Sequence, residues 1–107
     1  MEVVINALSG RSRVIIGDTF QNLANLLPHE DVFVITDGNV YPLLGQLKSK
    51  YPTHTITPGE SSKSLGVAQN IYEWLLEKGA HRRSFILGFG GGVVCDIAGF
   101  VASTYMR

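Results

Sequence analysis

Three consecutive glycines, Gly90-Gly91-Gly92, stand between two apolar stretches, and few folds accept that arrangement. Ser84-Phe85-Ile86-Leu87 precedes them, and a run from Val93 to Met106 follows. Phe85 to Met106 is almost long enough to span a bilayer. Asp96 sits in the middle of it, however, and the clustered glycines would break a lipid-exposed helix. Gly88 and Gly92 match a G-x-x-x-G spacing, which carries little by itself. The run therefore reads as a buried strand, a turn and a buried helix, and no membrane partner is expected.

The rest of the chain alternates in the same way. Val3-Val4-Ile5 and Arg13-Val14-Ile15-Ile16 read as short strands of a hairpin around Ser9-Gly10-Arg11-Ser12. Asp18 is a plausible N-cap for a helix carrying Phe20, Leu23, Ala24 and Leu27 and ended by Pro28. Val32-Phe33-Val34-Ile35 is continuously apolar, which suits a strand buried on both faces of a parallel sheet. Asp37-Gly38-Asn39 ends it and opens a helix through about Lys50. His54 to Thr57 is a weaker strand, stopped by Pro58-Gly59. A second helix places Leu65, Ala68, Ile71, Tyr72, Leu75 and Leu76 on one face and stops at Lys78-Gly79. A helix after the glycines turns Ile97, Ala98 and Val101 to the core.

This order predicts an α/β fold: a Rossmann-like, doubly wound, mainly parallel sheet with an amino-terminal β-hairpin. Residues 1–107 form one domain. Ligands of such sheets sit outside the carboxyl ends of the strands. That rule brings Asp37 to Asn39, Pro58 to Lys63, and Gly88 to Asp96 to one edge.

Composition narrows the function. The chain is 45% hydrophobic and 17% charged, with a formal net charge of zero. No basic stripe argues for nucleic acid. Cys95 is the only cysteine, so no internal disulfide is possible and a reducing cytoplasm is expected. Met1-Glu2 lacks the basic start of a signal peptide. His29, His54 and His81 show no metal-ligand spacing. Cys95 reads as a small buried side chain, and Tyr72, Trp74 and Phe20 as core residues at helical spacing.

Each of the three loops supports two readings. Glycines 90 to 92 let backbone N–H groups approach phosphate oxygens at a helix N-terminus; the alternative is a tight turn needing positive φ. The spacing of a full dinucleotide fingerprint fails, because its third glycine would fall on Cys95. Asp37 can accept ribose hydroxyls with Asn39 beside it, or can cap a helix starting near Val40. Glu60 can hold ribose hydroxyls and Lys63 can offset phosphate charge; the alternative is a turn with Ser61 or Ser62 as a cap. Asp96, in the first turn of its helix, can cap it or face ribose, nicotinamide or substrate hydroxyls.

In this order the motifs resemble the 3-dehydroquinate synthases. The match is carried by Thr36-Asp37-Gly38-Asn39-Val40, by Pro58-Gly59-Glu60-Ser61-Ser62-Lys63-Ser64, and by the run from Gly90 to Arg107. It covers nearly the whole chain but only the amino-terminal domain of the family. Other sugar phosphate cyclases and the glycerol dehydrogenase group share the glycine turn and its aspartate.

The resemblance implies NAD as a tightly held cofactor. It implies a full-length homodimeric lyase that converts the sugar-acid phosphate DAHP to 3-dehydroquinate and phosphate in the shikimate pathway. A divalent metal, zinc or cobalt, would be bound by residues outside this chain. By position, Asp37 and Asn39 would contact the adenosine end of NAD, and Glu60 and Lys63 a ribose and its surroundings. Gly91, Gly92 and Val93 would cradle the pyrophosphate, Asp96 would lie near the nicotinamide, and Arg107 would meet substrate. Cys95 replaces the family's usual glycine. No catalytic residue and no metal ligand is expected here, and the chain alone is expected to be inactive.

Overall fold

The computed structural model describes residues 2–7, 10–15, 27 and 30–106, with backbone alone for the first two stretches. Two strands, β1 (Glu2–Ala7) and β2 (Gly10–Ile15), pair antiparallel from Glu2↔Ile15 to Ala7↔Gly10. The expected hairpin is present, but Gly10-Arg11-Ser12 belongs to its second strand rather than to the turn. The helix expected from Asp18 lies outside the described residues, apart from the buried Leu27.

The second sheet holds β3 (Val32–Asp37), β4 (Thr53–Ile56) and β5 (Phe85–Phe89) in the order β4-β3-β5, all parallel. Central β3 is buried from Val32 to Thr36, as its unbroken apolar run requires. Strand β5 departs from expectation. Among the described strands it lies at one end of the sheet, with Phe85 41% exposed and the next four residues half-buried.

A helix covers each face. The segment after β3 is not one helix: a 3-10 turn (Tyr41–Leu44) and the short α1 (Leu47–Lys50) are split at Gly45, whose φ of 56° ends the first. Leu44, Leu47 and Tyr51 pack with Leu27, Val32 and Val34 on that face. On the other face lie α2 (Leu65–Glu77) and α3 (Gly92–Thr104). Ala68, Ile71 and Leu75 of α2 meet Val94, Ile97, Ala98 and Val101 of α3 over Phe33, Ile35 and Ile56. Trp74 sets its ring edge-on to Phe33, with centroids 5.9 Å apart.

Leu65 and Leu76 were expected on the buried face of α2, but they are 77% and 57% exposed. At 100° per residue both lie roughly a quarter-turn from the centre of that face. The stop at Lys78-Gly79 holds. Gly79 takes φ 79°, and the N–H groups of Gly79 and Ala80 return to the carbonyls of Leu76 and Leu75.

Candidate functional site

Because β3, β4 and β5 run parallel, their carboxyl ends release all three motif loops on one edge. The loops touch. A Cβ on Gly38 would lie 3.9 Å from Pro58 Cδ, so the first loop rests on the second. Lys63 Nζ meets Asp96 Oδ2 at 2.8 Å, joining the second to the third. The hydroxyl of buried Thr36 donates to the Phe89 carbonyl at 2.7 Å, which fixes the end of β5 against β3.

Asp37 Oδ1 accepts the N–H groups of Asn39 and Val40, each at 2.9 Å. The capping role is thus real, although it caps a tight turn rather than a long helix. No described residue bonds the other carboxylate oxygen. Asn39 is exposed beside it.

After Gly59, at φ 105°, a short 3-10 turn (Glu60–Ser62) presents the exposed Glu60. Neither Ser61 nor Ser62 caps α2. Ser62 is buried and donates to the Thr57 carbonyl. Ser64 is the cap, accepting the Val67 N–H at 3.2 Å. The signal was available, since Ser64 stands immediately before the periodic run that opens at Leu65. A hydrogen bond and charge from Asp96, then the charge of Glu60, hold the Lys63 ammonium above its usual pKa.

The glycine run divides by function. A Cβ on Gly88 would lie 2.7 Å from Ala98 Cβ, and one on Gly90 would lie 2.8 Å from Val94 Cγ2. Those two glycines let β5 and α3 close on each other. Gly91 and Gly92 are different: a Cβ there meets nothing within 4 Å, and neither has positive φ. The turn reading fails for both, so no described neighbour requires either to be glycine. Gly91 is the N-cap of α3 with no side-chain cap, and the first-turn N–H groups have no intrahelical partner. An anion fits such a helix start.

Two expectations for α3 are corrected. Asp96 lies in its second turn and caps nothing, because Gly92 is already helical. Cys95 is exposed rather than buried, with its thiol directed to the Gly90 carbonyl at 3.7 Å. The inward arc is taken by Val94, Ile97, Ala98 and Val101.

The Lys63–Asp96 pair stands at a cavity of about 320 Å³, walled also by Ser64, Leu65, Ile97 and Phe100. That volume is at the lower end for small-molecule sites. Leu65 escaped the sequence reading because helical spacing places it with the core positions of α2, and Phe100 because an apolar residue in an apolar helix carries no local sign of a cavity wall. Arg107 lies outside the described residues. Among the described residues no cluster could hold a metal ion, and no helix is long and apolar enough to cross a membrane.

The parallel sheet, the helices packed on it and the loop edge define an α/β domain of the Rossmann-like class. The family model for the 3-dehydroquinate synthase N-terminal domain matches residues 53–107. A 3-dehydroquinate synthase of Pyrococcus furiosus is 44% identical over 102 residues, covering 88% of this chain and 30% of that protein. One from Caldanaerobacter subterraneus subsp. tengcongensis is 41% identical over 121 aligned positions, covering 100% of this chain and 34% of that protein. A solved 2-deoxy-scyllo-inosose synthase, complexed with carbaglucose-6-phosphate, NAD+ and Co2+, superposes over 100% of this chain and 32% of its own, with TM-score 0.74 at 22% identity. This chain belongs to the 3-dehydroquinate synthase family. It spans about a third of the length of these relatives.

Proposed function

We propose that this chain is the NAD-binding part of a 3-dehydroquinate synthase acting in the shikimate pathway in the cytoplasm. The whole enzyme would convert DAHP to 3-dehydroquinate and phosphate, as a homodimer with zinc or cobalt. The observation that carries the NAD site is the pair Gly91 and Gly92. No described contact and no backbone angle explains their missing side chains, whereas an anion against the N–H groups of Gly92 and Val93 does.

NAD would supply a temporary oxidation of a substrate hydroxyl. The residues of this chain bind and orient it. Gly91, Gly92 and Val93 cradle the pyrophosphate. Asp37, through its unbonded oxygen, and Asn39 take the adenosine end, and Glu60 accepts ribose hydroxyls. Lys63 and Asp96 flank the apolar cavity of Leu65, Ile97 and Phe100, which suits the flat nicotinamide end. Arg107 would meet the acidic substrate. The metal would be held elsewhere in the full-length protein.

Calorimetric titration with NAD+ tests the binding step. Weak binding is expected, in the range of about a millimolar (roughly −4 kcal/mol), because this chain forms one side of a cleft. No heat at millimolar NAD+ would refute the reading. With NAD+, zinc and DAHP added, this chain is expected to release no phosphate; detected phosphate would overturn that part. The family also contains cyclases acting on other sugar phosphates, and the fold shared with the inosose synthase is compatible with that second reading.

A further inference from the structure

The motif loops, residues 37–39, 58–63 and 88–96, carry the charged side chains Asp37, Glu60, Lys63 and Asp96. One ammonium thus stands against three carboxylates. An excess of negative charge is unexpected beside a helix start that takes phosphate, where a lysine ordinarily adds to the attraction. Here the lysine is already engaged: Lys63 Nζ lies 2.8 Å from Asp96 Oδ2. Asp96 acts on that ammonium more strongly than Glu60 does.

The engagement takes place close to the proposed phosphate site. Asp96 stands four residues after Gly92 on α3. Four residues advance a helix by about 6 Å and turn it by about 40°, so Asp96 sits one turn along from Gly92 on nearly the same side. Helical side chains lean toward the N-terminus, which brings the Asp96 carboxylate back toward the helix start. Both members of the pair are half-exposed, at 50% and 58%. A lysine ammonium on its flexible four-carbon stem can cover one helical turn by changing rotamer. Asp96 and a phosphate at the Gly92 and Val93 N–H groups therefore compete for the same cation.

We propose that Asp96 is a specificity-determining residue: by holding Lys63 it keeps the ammonium off the start of α3, and the site turns away highly charged phosphates. With Lys63 held, an arriving phosphate meets neutral N–H groups and surplus carboxylates. Repulsion from the carboxylates grows with the charge of the ligand, while the number of N–H donors stays fixed. A bridging diphosphate, with one charge on each phosphate, is tolerated. Inorganic pyrophosphate and terminal phosphate groups carry more charge and are disfavoured. The role rests on the start of α3 being a phosphate site, whichever phosphate compound fills it.

Calorimetry with inorganic pyrophosphate and with NAD+ on the intact chain tests it, in a double-mutant cycle of Asp96→Asn, Lys63→Ala and the two together. Asp96→Asn is expected to raise pyrophosphate affinity by about fivefold at low salt, with the gain shrinking as salt rises, and to change NAD+ affinity less. With Lys63→Ala already in place, the same substitution is expected to give less than about twofold. Urea midpoints are expected to match the parent's, because the pair is solvent-exposed and Asp96 lies beyond the helix start. Asp96→Ser, equally uncharged, is expected to act like Asp96→Asn. Unchanged pyrophosphate affinity in both Asp96 variants, an equal gain without Lys63, or a gain for NAD+ as large as for pyrophosphate overturns the proposal. Binding of NAD+ by the parent with no pyrophosphate gain in Asp96→Asn refutes this role alone. A Lys63-dependent pyrophosphate gain without NAD+ binding refutes the NAD reading alone.

Discussion

Alanine substitution of single glycines separates packing from ligand binding. The methyl of Gly88→Ala would sit 2.7 Å from Ala98 Cβ, against backbone-anchored atoms that cannot rotate away. Ordinary carbon contacts need about 3.5 to 4.0 Å, so β5 and α3 must separate by about 1 Å. Overpacking of that kind costs about 2 kcal/mol, or roughly 10 °C in Tm for a domain of this size. Gly90→Ala meets Val94 Cγ2 at 2.8 Å and Cβ at 3.0 Å, on a β-branched side chain with little rotamer freedom, and should cost a similar amount. Gly92→Ala meets nothing and opens a helix, so it should gain about 0.5 kcal/mol. Its NAD affinity should nevertheless fall by about tenfold, or 1.4 kcal/mol, because the methyl enters the space given to phosphate. Urea unfolding and calorimetry on the three variants read both quantities. A Gly88→Ala protein as stable as the parent refutes the packing argument, and a Gly92→Ala protein that binds NAD+ undiminished refutes the phosphate argument.

Ser64→Ala removes the cap of α2 and should lower stability by about 1 kcal/mol in the same urea measurement. Lys63→Ala should leave the unfolding midpoint unchanged, because the Asp96 pair is solvent-exposed, yet should weaken NAD+ binding by calorimetry. His54 packs against Trp74 and burial lowers its pKa, so the folded state prefers the neutral ring. Its folded pKa lies below its unfolded one; stability is therefore held above pH about 6.5 and falls as acid protonates the unfolded chain first. His54→Gln should flatten that fall between about pH 7 and pH 5 when urea midpoints are compared.

The sequence made legible whatever one residue's neighbours in the chain decide. Continuous apolarity at Val32 to Ile35 announced a doubly buried strand, and helical spacing picked out Ala68, Ile71 and Leu75 correctly. Parallel order alone put three loops on one edge. What stayed hidden depended on distance between elements. Gly45 splits a helix that periodicity joins. Strand β5 has the composition of a buried strand, but its partial exposure follows from its place at the end of the described strands. Cys95 is small and apolar, yet only the angular position of α3 decides that it faces outward.

The same distinction explains why the glycine run is ambiguous until its neighbours are known. Gly88 and Gly90 serve the contact between β5 and α3, so their absence of side chain says nothing about a ligand. Gly91 and Gly92 face open space, and their absence of side chain says nothing about packing. The anion argument rests on the second pair alone, and it gains from the first: by drawing α3 down onto β5, Gly88 and Gly90 fix where the helix begins. The start of α3 thereby follows the carboxyl end of β5, on the sheet edge that also carries the loops of Asp37 and Glu60. Lys63 supplies less than its charge suggests, since Asp96 already neutralises it. If the proposed site holds NAD, attraction for its phosphates would come mainly from the backbone of α3, and calorimetry at rising salt is expected to show a weaker loss of affinity than a lysine-based site would.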